Sequence, residues 1–136
     1  MNNQLLAIVV IAALAGCSRE TPLGYVQGRV TSHSKPLDGV LVRWLPQSSG
    51  EECSGVTNHT GTYELRSTAG ARGVAPGKYI IVLEDLAVYS QPRTEEPTSS
   101  ARIESRVPRD LAVASSSRLR FLIRPGQQYA NFALTP

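Results

Sequence analysis

From residue 25 onward the chain is a series of short runs in which apolar and polar residues alternate, separated by turn-forming Gly, Pro, Asn and Ser. Strict alternation puts one apolar row on one face of an extended strand, and such a row is stable only when a second layer covers it. The period predicts strands at 25–31, with Val26 and Val30 inward, and at 40–45, where Val40, Val42 and Trp44 share one face and Leu41 and Arg43 the other. A third begins at Val56-Thr57, after a polar loop at 47–53, and a fourth covers 62–66 with Tyr63 and Leu65 inward. Residues 78–84 are apolar on both faces, as a central strand requires. The last two are 118–124, with Leu119, Phe121 and Ile123 inward, and 128–134, which returns after a Pro125-Gly126 turn with Phe132 and Leu134 inward. Seven short strands around one core is the count of an all-β Greek-key sandwich of immunoglobulin-like architecture.

Turns are expected at 32–39, which contains Pro36, and at Asn58-His59-Thr60-Gly61, where Asn and Gly tolerate left-handed backbone. Residues 85–117 differ from the rest. They are rich in Ser, Pro, Thr, Glu and Arg and have few large apolar side chains. An irregular stretch of that length is expected to be either functional or mobile.

Ahead of the strands lies an apolar run at 5–16. It is shorter than the roughly twenty residues of a membrane-spanning helix. It matches the apolar core of a secretory signal, about 7–15 residues followed by small residues at the cut. Leu14-Ala15-Gly16-Cys17 resembles the lipobox of bacterial lipoproteins, Leu-(Ala/Ser)-(Gly/Ala)-Cys. The resemblance implies a diacylglyceryl group on the Cys17 thiol and cleavage between Gly16 and Cys17. The segment departs from the pattern in having no Lys or Arg before the apolar run. An ordinary signal peptide with an accidental cysteine, or an uncleaved anchor, is the other reading. One acyl chain anchors marginally and two anchor stably, so a lipidated Cys17 would bind a membrane without any apolar protein surface. The expected organisation is a signal peptide at 1–16, a lipidated tether at 17–23 and a sandwich at 24–136. The expected location is the cell envelope. Ser18 resembles signals that permit transfer to the outer membrane, which is expected ahead of the inner one.

Beyond the cut lies one domain's length of chain, enough to bury a core without metal or disulfide. A formal net charge of +3 is too small to imply nucleic acid as a partner. With Cys17 acylated, Cys53 has no partner within the chain. Glu51 and Glu52 beside it should raise its pKa, which makes a passive thiol the expectation and an intermolecular disulfide the alternative.

Four motifs then occur in order: Val26-Gln27-Gly28-Arg29-Val30, Lys35-Pro36-Leu37-Asp38-Gly39-Val40, Thr57-Asn58-His59-Thr60-Gly61-Thr62-Tyr63-Glu64-Leu65 and Pro76-Gly77-Lys78-Tyr79. Together they resemble the carboxypeptidase regulatory-like family, whose pattern is roughly V-x-G-x-V, G-x-P-L-x-G-A-x-V, T-D-x-x-G-x-Y-x-L and P-G-x-Y-x-V. The departures are Ser34 in place of a usual Gly and Asn58 where Asp is common. The resemblance implies a transthyretin-like (prealbumin-like) sandwich in which Gly28 lets two sheets approach. It implies no single activity, because that fold hosts many.

No catalytic residue is expected. The two histidines, His33 and His59, fall in turns, and a zinc site wants three or four converging ligands. Ser115-Ser116-Ser117 lacks a Gly-x-Ser-x-Gly context, and Asp38, Glu51 and Glu52 lack the spacing of a calcium loop. No cofactor or metal is therefore expected. Arg118, Arg120 and Arg124 share the outward phase of one strand and form a candidate surface for phosphate, acidic glycan or headgroups, or else a solvated edge. The function expected is a non-catalytic, membrane-anchored envelope lipoprotein with an interaction or structural module, whose partner is an envelope protein or glycan. The alternative is a carbohydrate- or peptide-binding lipoprotein using the 85–117 loop or the arginine row.

Overall fold

The alternating run at the start of the domain forms β1 (Gly24–Ser32), with Val26 and Val30 buried and Tyr25 and Arg29 exposed. The computed structural model describes residues 16, 20–90 and 103–135. Ten strands occur among them: after β1 come β2 (Lys35–Pro36), β3 (Val40–Pro46), β4 (Cys53–Val56), β5 (Thr62–Glu64), β6 (Arg66–Ser67), β7 (Gly77–Asp85), β8 (Arg120–Ile123), β9 (Gly126–Tyr129) and β10 (Phe132–Leu134). They form two five-stranded sheets, so the all-β, two-layer reading holds. Strand β1 is the hub of the first sheet. One of its edges pairs in parallel with β9 and then β10, and the other pairs antiparallel with β5 and β2. The second sheet runs β6-β4-β3-β7-β8, all antiparallel.

Three departures from the sequence expectation have physical causes. Residues 128–134 do not return along β8; Gly126, at φ 96°, carries the chain into the other sheet, where β9 lies parallel to β1. The strand expected to begin at Val56-Thr57 instead ends at Val56. Its start is hidden in a polar stretch because the inward Cys53 opposite Trp44 is its one apolar anchor at that end. Thr57 then stands outside the strand, buried, its hydroxyl donating to Leu37 O (2.6 Å) and accepting from Val40 N (2.9 Å). Gly28, finally, is not the place where the two sheets approach, because the atoms against it belong to its own sheet. A Cβ there would collide with the carbonyl of Ala130, which crosses over it within the first sheet.

The core lies between the layers around Trp44, which is fully buried and ringed by Tyr79, Phe121 and Phe132 at centroid distances of 6.0, 5.1 and 6.4 Å. Its indole N–H has no hydrogen-bond partner among the described residues, a cost the surrounding aromatic packing has to offset. Tyr63 stacks on Phe132 and donates its hydroxyl to Ala130 O at 2.7 Å, which fixes the crossing above Gly28.

Of the stretch 85–117, residues 91–102 lie outside the described residues. The described remainder is anchored at Asp85, Val107, Leu111 and Ser117, which are buried, while residues such as Tyr89 and Ile103 stand exposed. Asp85 ends β7 with its side chain wholly buried, and Arg106 meets it as a fork: Nη2 to Oδ1 at 2.6 Å and Nε to Oδ2 at 2.9 Å. The Arg106 and Ala87 backbone N–H groups complete the carboxylate's partners, and Arg106 also reaches Asp38 O. Val107 and Leu111 then enter the core, and Ser117 hydrogen-bonds Ile81 O beside β7.

Candidate functional site

Alternation in β1 sends Tyr25, Gln27, Arg29 and Thr31 to the outer face of the first sheet. The register places Gln127 beside Tyr25 and Tyr129 beside Gln27 on one flank, and Glu64 and Thr62 beside Gln27 and Arg29 on the other. Cα partners in a ladder share a face, so these side chains form one surface. Tyr25 is 45% exposed and Tyr129 66%, so both rings stand largely in solvent on this face.

Three shallow depressions run together across this face and share Gln27. The first, about 430 Å³, lies between Tyr25, Glu64, Arg72 and Gln127. The second, about 440 Å³, is bounded by Arg29, Thr62, Tyr129 and Asn131. The third, about 380 Å³, lies toward Ser54, Asn58 and Arg66. Each contains one arginine. Glu64, the one carboxylate on the face among the described residues, is ion-paired to Arg72 and lies 3.6 Å from Arg66. The Arg72 hydrogen bond holds the Glu64 carboxyl below its ordinary value, so it is ionised at neutral pH. Arg29 has no ion-pair partner among the described residues; its backbone N–H donates to Asn131 Oδ1 at 2.9 Å. Three guanidinium groups against one carboxylate leave the face cationic.

The arginine row is exposed throughout but is not one continuous strand surface, because β8 spans only Arg120–Ile123. Arg118 Nη2 is 3.1 Å from Asp110 Oδ2. Arg120 folds back onto the Ser117 and Leu119 carbonyls at 2.7 and 3.1 Å. Arg124 alone has no side-chain partner among the described residues. A broader hollow of about 780 Å³ beside them contains Arg106 and Arg118, and both are committed to carboxylates, Asp85 and Asp110.

The remaining residues singled out in the sequence do not converge. His33 and His59 are exposed in separate turns, and among the described residues no three His, Cys, Asp or Glu side chains are placed to hold a metal. Cys53 is buried, and that burial, with Glu51 adding, pushes its thiol pKa up. Gly16 is exposed, and Cys17 lies outside the described residues. Among the described residues no helix is long and apolar enough to cross a membrane.

No family model matches the chain, and no curated protein or solved structure is significantly similar to it. The outer face of the first sheet leaves no signal in the sequence. Its two tyrosines are about a hundred positions apart in the chain, and periodicity reads outward positions simply as solvated.

Proposed function

We propose that this protein is a non-catalytic, membrane-anchored lipoprotein of the cell envelope, and that the outer face of its first sheet is the surface by which the sandwich engages a partner. The observation that carries the reading is the pairing of two exposed tyrosines with amide and guanidinium side chains over one continuous set of depressions. Aromatic rings left in water beside oriented polar groups are what binding surfaces share. The membrane and outer-membrane assignments rest on Leu14-Ala15-Gly16-Cys17 and Ser18. The reading of the sandwich as seven-stranded, Greek-key and transthyretin-like rests on the four ordered motifs. It is supported by the way β5 and β6, and β9 and β10, follow each other as bent halves of single strands, with β2 only two residues long.

Two measurements test the proposal. Mass spectrometry of protein extracted from membranes is expected to find the chain starting at an acylated Cys17; a retained Met1 or a free Cys17 thiol overturns the anchor. Cross-linking in envelopes is expected to trap a partner with the wild-type protein and lose it in a Tyr25→Ala/Tyr129→Ala variant. Equal trapping by both would move the interaction elsewhere, with the exposed Arg124 the next surface to examine.

A further inference from the structure

We infer that the outer face of the first sheet binds an acidic polysaccharide, a linear glycan carrying carboxylate groups; this rests on the proposal that this face is the binding surface. The charge on the face selects the ligand. The three joined depressions contain Arg72, Arg66 and Arg29 against one acidic side chain among the described residues, Glu64, which engages Arg72 and Arg66 and leaves Arg29 without a carboxylate partner among those residues. A neutral glycan would leave that excess positive charge unmatched. Glu64 itself shows how a carboxylate is taken up here, as it lies between the Arg72 and Arg66 guanidinium groups. A planar guanidinium matches a planar carboxylate, which favours a uronic acid over a point charge.

The aromatic residues select a sugar chain over an acidic peptide or a simple anion. Tyr25 and Tyr129 are on neighbouring strands two positions out of register, so their Cα atoms are separated by roughly 8 Å across the sheet. Two rings at that spacing offer apolar platforms to successive sugar faces, and the amide of Gln27 between them can donate to and accept from ring hydroxyls. A peptide that binds a sheet by strand addition needs a free edge. Strand β1 is paired on both sides, so a peptide could add only along the outer edges of β9 or β5 and would run beside the tyrosine face rather than across it.

The test titrates the full chain, purified from membranes in detergent, with polygalacturonate, using neutral dextran, phosphomannan, poly-glutamate and a single-stranded oligonucleotide as comparisons. Polygalacturonate is expected to bind at least about tenfold more tightly than dextran, with affinity falling as salt rises. Tyr25→Ala and Tyr129→Ala are each expected to weaken it about tenfold at an unchanged melting temperature. Arg29→Gln should flatten the salt dependence. Equal binding of dextran, tighter binding of phosphomannan, poly-glutamate or the oligonucleotide, no binding of polygalacturonate, or an unaffected tyrosine variant each overturns the inference. If the tyrosine variant still loses its cross-linked partner while no glycan binds, the face remains an interaction surface and only the ligand class falls.

Discussion

Gly28 is hemmed in by two residues. Tyr63 lies across from it, and the Ala130 carbonyl passes directly over its Cα to receive the Tyr63 hydroxyl. A methyl group at this position has to displace backbone, so Gly28→Ala is expected to destabilise the fold by about 3 kcal/mol or more, read from a chemical denaturation midpoint. The opposite expectation holds at the β1–β2 turn. His33 and Ser34 both have positive φ, 50° and 64°, as a two-residue turn of this hand requires, yet neither is glycine. Ser34→Gly is therefore expected to raise stability by about 0.5–1 kcal/mol, visible as a higher melting temperature. The absence of Gly at 34 was legible in the motif comparison, and so was the need for Gly28. The partner of Gly28 was not, because alternation reports the face on which a residue lies and carries nothing about which distant strand crosses it.

At the scale of elements, the segment leading into β8 is held by the Asp85–Arg106 fork and by Val107, Leu111 and Ser117. Hydrogen bonds from Arg106 hold the Asp85 carboxyl below its ordinary value. Its contribution is complete above the unfolded carboxyl value of about 4 and is lost as pH falls through the lower folded value. Asp85→Asn is expected to cost about 3 kcal/mol at pH 7 and to make stability less steeply dependent on pH below about 4. An unchanged acid limb in the variant would show that other carboxylates govern it. This packing was not legible in the sequence: two isolated apolar residues in a polar stretch generate no period. The inward faces of β1 and β3 were legible, since each presents buried residues at alternate positions, and so was the two-faced burial of β7 at Ile81, Val82 and Leu83.

Across the whole molecule, the two sheets are stitched by strands that change layer. The chain passes from β5 to β6 at the buried Leu65, and from β8 to β9 at Pro125-Gly126. Each crossing ties one layer to the other, so the layers are expected to unfold together as one unit. Coincident denaturation curves from Trp44 fluorescence, within the core, and far-ultraviolet circular dichroism would show this, and separated midpoints would contradict it. The seam between β1 and β9–β10 has a consequence in time. Arg29 N–H finds its acceptor on Asn131, 102 residues further along the chain. While the polypeptide is still being synthesised, the first strand has one bare edge and must wait for the last two to emerge. Such late closure makes folding slow, and the waiting strand is what a holding chaperone would have to shield.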